Sequence, residues 1–274
     1  MIEATLAAAA FGNEPGRWPL PTACSPYGLW LRAVAAGGQG RYSCARADLA
    51  ALCRGEPSGP LASLAHSTQA SFLRQLGWHR LAGGSDGRAL ALTPPTAETA
   101  GLATDAVVDA LIGLAADALG VGRFAASAAL LRRARDHLAA ADAPAHRLGV
   151  RLAWVSAELA MAVGAGHDAV LHAERAVELA GALFAVPVSA RHRAKSDVVL
   201  AAALCSAGSI GRARAVADAA LEATGRSGLV PLRWAVACLL ADIGSATHTT
   251  DEVQAIRDVS AALVRHRGGL WCDR

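Results

Sequence analysis

Apolar and small positions along this chain recur with a helical period, and strand formers never alternate over a sustained run. The clearest regularity is a spaced set: Ala, Gly seven residues on, a small residue five on, then Ala or Leu after seven more. Its five copies are Ala33-Gly40-Ala45-Leu52, Ala70-Gly77-Ala82-Ala89, Ala115-Gly122-Ser127-Ala134, Ala157-Gly164-Ala169-Ala176 and Ala201-Gly208-Ala213-Ala220. Small residues seven apart lie two turns apart on one helix face, where a second helix can approach closely. Gly between two such pairs ends the first helix and lets the chain reverse. Each copy therefore predicts helix, tight turn, helix. The predicted helices are 27–37, 41–54, 60–76, 80–92, 102–119, 123–141, 145–163, 167–183, 188–206, 210–224, 229–243 and 251–267. In a sixth, degenerate copy, Ala237 and Gly244 keep the first spacing, and Ala255 and Ala262 keep the last after an insertion, SATHTT.

The strings GRYSCARADLAAL, GRFAASAALLRRA, GAGHDAVLHAERAVEL and GSIGRARAVADAALEA resemble tetratricopeptide repeats. Tyr42, Phe124 and Ile210 hold the family's apolar position two past the Gly, and Pro57 and Pro94 its closing Pro. Gly-to-Gly spacings of 37, 45, 42 and 44 exceed the family norm, which is about 34. The resemblance implies an all-α, right-handed solenoid of about six antiparallel hairpins over residues 27–267. Residues 1–26 form an N-terminal segment that is extended or caps the solenoid through Trp18, and 268–274 a tail, frayed or folded back through Trp271. The link TPPTAETAG, residues 93–101, is the clearest internal break.

Composition narrows the function classes. The net charge of +3 is too mild to imply nucleic acid. The longest uncharged apolar run, near Val198–Gly211, is shorter than the ~18 residues of a membrane span. The opening MIEATLAAAAFG lacks the basic start of a secretory leader. Cys24, Cys44, Cys53, Cys205, Cys238 and Cys272 are scattered, with no CxxC pair, and are expected to be reduced and buried in a cytoplasmic protein. One Lys among many Arg, with heavy Ala usage, is the bias of a GC-rich genome.

Candidate chemistry is sparse. GxG at Gly38/Gly40 and Gly164/Gly166 follows no strand. The nine His are dispersed; His192 lies in the basic stretch RHRAK, and surface positions are expected for nearly all of them. Asp105, Asp109 and Asp117 run along one helix with no evident partners, and Arg132, Arg133 and Arg135 suit a solvated convex face. No catalytic group, metal site or cofactor is expected, and the chain reads as a non-enzyme.

Trp30, Trp154 and Trp234 each stand ten residues before a hairpin Gly. In tetratricopeptide repeats that position faces the concave, peptide-binding groove. The resemblance thus implies a groove formed by Tyr27, Trp30, Arg74, Arg151, Trp154, Glu158, Lys195 and Trp234. A one-residue rotation would instead place the Trp between repeats. The Asn needed by the family's clamp for a peptide C-terminus is missing, since Asn13 is the only Asn. The expected function is a peptide- or protein-binding adaptor; the alternative is a ligand- or peptide-sensing partner of a bacterial transcription regulator. Exposed groove Trp require a cover: a partner, the N-terminal segment, or a second copy of the chain in a homodimer.

Overall fold

The computed structural model describes residues 1–93, 101–140, 146–181 and 189–272, and every regular element among them is helical. A short helix α1 (Ile2–Phe11) precedes six antiparallel pairs. The pairs are α2 (Pro26–Gly38) with α3 (Tyr42–Gly55), α4 (Pro60–Gln75) with α5 (His79–Ala91), α6 (Leu102–Gly120) with α7 (Phe124–Ala139), α8 (His146–Ala162) with α9 (Gly166–Gly181), α10 (Ala190–Ser206) with α11 (Ile210–Arg226), and α12 (Val230–Ile243) with α13 (Thr250–His266). Consecutive helices pack on one another in a solenoid-like order, and each first helix also packs on the first helices beside it. In the six pairs the even-numbered helices thus form an inner layer and the odd-numbered an outer one, while α1 packs on the inner helices α2 and α10. The link residues 94–100, the predicted helix ends at 141, 145, 182–183 and 188, and Pro94 lie outside the described residues.

The spaced small residues explain the pairing. In all five copies, every Ala, Ser or Leu of the set is at most 1% exposed. The intervening Gly40, Gly77, Gly122, Gly164 and Gly208 take φ between +75° and +90°, where a side chain is strained. Each turn closes with the same six-residue bond, as in Arg41 N–H to Ala36 O and Ala165 N–H to Ala160 O. The next helix begins two residues past each Gly. The sixth pair departs from expectation: Ala255 and Ala262 are exposed, and Val253, Ser260 and Val264 are buried instead. The insertion moves the face, and a Thr249/Glu252 capping box sets the start of α13.

The two ends of the chain meet. Arg267 donates to Gln39 O at 2.7 Å, Ser43 N–H to Arg267 O at 3.1 Å, and Arg46 to Gly268 O at 2.6 Å. Trp78 Nε1 donates to Leu270 O at 2.7 Å, and Cys272 N–H to Leu76 O at 2.8 Å. Trp271 folds back on Trp234, ring centres 4.1 Å apart. The N-terminal segment is a packed helix and an irregular stretch rather than a loose one: Leu6, Ala9 and Ala10 are buried in the core. Trp18 stays 39% exposed, with the Arg41 guanidinium 3.7 Å above its ring.

Candidate functional site

The inner helices line most of a cavity of about 370 Å³ that is open to solvent. Gly38 of α2, Ser71, Arg74 and Gln75 of α4, and His79 of α5 line one side. Ala116, Leu119 and Gly120 of α6, five residues of α8, three of α10, and Leu232 of α12 complete it. From α8 come Arg147, Arg151, Trp154, Val155 and Glu158; from α10 come Arg191, His192 and Lys195. These positions repeat. Arg147 stands seventeen residues before Gly164, and Arg191 seventeen before Gly208; Arg151 and Lys195 each stand thirteen before the same two glycines. Equal offsets on stacked first helices become neighbours.

Of the residues expected in the groove, Arg74, Arg151, Trp154, Glu158 and Lys195 line the cavity, whereas Tyr27, Trp30 and Trp234 do not. Trp30 is 4% exposed; Phe11 and Tyr27 flank its ring and its Nε1 donates to Thr68 Oγ1 at 3.0 Å. Tyr27 lies at the surface, 40% exposed. Trp234 is covered by Trp271. The shared offset therefore has three outcomes, because different segments cover each Trp.

Trp154 stacks on His192, ring centres 5.3 Å apart and planes 20° from parallel. Its Nε1 donates to Ser196 Oγ at 2.9 Å, and Lys195 Nζ lies 5.7 Å from its ring. Lys195 also pairs with Glu158 at 3.0 Å. His192 is 5% exposed, not a surface His, and burial together with Arg191, Arg147 and Arg151 holds its pKa well below the usual value. Its ring is therefore neutral.

The carboxylates of α6, expected to have no partners, together with Asp86 of α5 hold three of the cavity's four arginines. Asp109 meets Arg147 at 2.9 Å and Arg151 at 2.6 Å, with Asp105 at 3.7 Å from Arg147. Asp109 keeps a lowered pKa although burial alone would raise it, because Arg147 and Arg151 favour its charged form. Arg74 bonds Asp86, Asp117 at 2.9 Å and the Gly113 carbonyl at 3.2 Å. Any Cβ at Gly113 would fall 2.2 Å from Asp86, so this network depends on bare backbone there. Burial pushes Asp117 up to about 7, against the pull of Arg74.

Arg147, Arg191, His192 and Phe11 were missed from the sequence. For the arginines the needed signal was the equal offset, applied two turns upstream of the Trp. Phe11 carries no repeat signature; it packs against Trp30 and His192, 5.6 Å from the Arg147 guanidinium and 5.7 Å from that of Arg191.

The expectation that the cysteines are buried fails: Cys24 and Cys44 are exposed and the other four half-buried. Among the described residues no group of His, Cys, Asp and Glu could hold a metal ion, and no helix is long and apolar enough to cross a membrane. Arg132, Arg133 and Arg135 are exposed on α7. No protein-family model matches the chain, and no curated protein is significantly similar to it.

Proposed function

We propose that this protein is a non-enzymatic binding module that takes a small ligand, or the end of a peptide, into the cavity lined by its inner helices. The observation that carries the reading is Trp154: a large aromatic side chain that is only partly covered, set among Arg151, Glu158 and Lys195 on the cavity wall. Partly open aromatic and cationic groups in a concave site are typical of binding pockets. The cavity's other polar groups do not suggest catalysis. Arg74, Arg147 and Arg151 are engaged by carboxylates, and His192 bonds the Ser189 cap of its own helix at 2.7 Å.

Among the two expected roles, the sensing one fits better. Phe11 and Trp30 fill the space between α2 and α10, so an extended peptide along the whole inner face would have to displace α1. The tetratricopeptide resemblance and a regulatory partner belong to this proposal, as does a cytoplasmic setting, which the exposed thiols of Cys24 and Cys44 suit. Native mass spectrometry of the protein from its own cells tests the reading. A retained ligand that Trp154→Ala loses supports it; binding of that ligand unchanged by Trp154→Ala overturns it.

A further inference from the structure

Arg191 is the one cavity cation that no carboxylate meets among the described residues. Its guanidinium makes a single hydrogen bond, Nη1 to Val34 O at 3.3 Å, and lies near the Phe11 ring. Around it stand Arg147, Arg151, Asp109 and, against Arg147, Asp105. Neutral His192 adds no charge. Three guanidiniums against two carboxylates leave one positive charge at this end of the cavity. Elsewhere Lys195 is matched by Glu158, and Arg74 by Asp86, while Asp117, raised to about 7 by burial, keeps its proton up to neutral pH. Burial, with Arg151 and Arg147 beside it, lowers Arg191 to about 10, so the folded protein holds this charge at a cost. A cation kept under such conditions is explained if an anion completes the site.

We propose that the Arg191 end of the cavity binds the carboxylate of a small organic monoanion whose flat body lies along Trp154. This rests on the ligand-binding reading above and names the ligand's chemistry. One uncompensated charge matches a monoanion, and a planar guanidinium fork suits a carboxylate. Trp154, stacked on His192 and partly exposed, lines the cavity together with the apolar Val155, Leu119 and Leu232. A volume of about 370 Å³ sits at the small end of ligand pockets, which excludes a long chain.

Titration calorimetry on the full chain tests this with two probes of one shape: indole-3-acetate and neutral indole-3-acetamide. The acetate is expected to bind about ten-fold tighter or more in the wild type. Arg191→Gln should abolish that preference while leaving the melting temperature unchanged or raised, because an unpaired buried cation has been removed. A purely structural arginine would lower it. Equal binding of the two probes in the wild type overturns the inference, as does binding of neither, or a preference that survives Arg191→Gln. The wild-type comparison decides even if that variant does not fold. If both probes bind equally and both are lost in Trp154→Ala, the cavity reading stands and only the anion site falls. If both bind regardless of Trp154, both readings fall.

Discussion

Trp154 and Trp30 occupy the same repeat position, yet one stacks on the buried ring of His192 facing a cavity, and the other is sealed by Phe11 at 5.3 Å. The same local sequence logic gives a ligand-facing side chain in one hairpin and a core side chain in another. The difference lies in α1, whose Phe11 packs on the Trp30 ring itself but meets the fourth pair at Arg147 rather than at Trp154.

Truncating the two therefore has opposite consequences. Trp30→Ala removes a core ring together with its bond to Thr68, and is expected to cost about 3–5 kcal/mol. Trp154→Ala should cost clearly less and should instead weaken ligand binding by about 2 kcal/mol or more. Thermal melts and binding titrations on both variants check this. A larger melting loss for Trp154 than for Trp30 would refute the assignment.

The helical pairs were legible because their signal is local. Ala33, Gly40 and Ala45 fix a crossing and a turn within a dozen residues, and the structure buries both alanines completely. Asp109 with Arg151, forty-two positions apart, was not legible, since an ion pair between stacked helices leaves no spacing rule in either one. Phe11 lies farther still from Arg191, and only the closing of the ring brings them together.

The small positions should resist enlargement only where the face is buried. Ala157→Leu and Ala201→Leu place extra volume at fully buried crossings and should each cost about 1–3 kcal/mol. Ala255→Leu, on the exposed side of α13, should change stability by no more than about 0.5 kcal/mol. Chemical denaturation of the three variants measures the contrast, and equal losses would contradict the shifted face of the sixth pair.

Two glycines should respond with opposite signs to the same change. Gly164 has φ +78° and open space around its Cβ position, so Gly164→Ala meets backbone strain alone, about 1–2 kcal/mol. Gly84, inside α5, also has open space and helical backbone, so Gly84→Ala should stabilise by about 0.4–1 kcal/mol. Melting temperatures moving in the same direction for both would count against the turn geometry.

Asp117 gives a pH signature of unusual sign. Burial raises it from 3.8 to about 7, so between those values the folded state holds a proton that the unfolded chain has released. The stabilisation is fully present below about pH 4 and is lost as pH rises through about 7. Asp117→Asn removes this titration and keeps the shape beside Arg74. The melting temperature of the wild type relative to that variant should fall as pH rises through this window, then level off. Parallel pH profiles for the two proteins would show that the site does not titrate there.

The meeting of the chain ends predicts coupling that an open stack of repeats lacks. In such a stack each repeat contacts only its neighbours, so removing the last residues leaves the first pair untouched. Here the Ser43 amide, in the first turn of α3, has no acceptor within its helix and bonds Arg267 O at 3.1 Å across the closure. A chain ending at His266 loses that acceptor, the Arg267 bond to Gln39, the two bonds from the tail to Leu76 and Trp78, and the Trp271 cover of Trp234. The loss of Trp271 burial and these hydrogen bonds should lower stability by about 2–4 kcal/mol. Exchange of the Ser43 amide, some two hundred residues from the cut, should quicken by about ten-fold or more. Hydrogen-exchange mass spectrometry on peptides spanning Arg41–Arg46 reads this directly. Unchanged protection there would mean that the first and last pairs do not hold one another in solution.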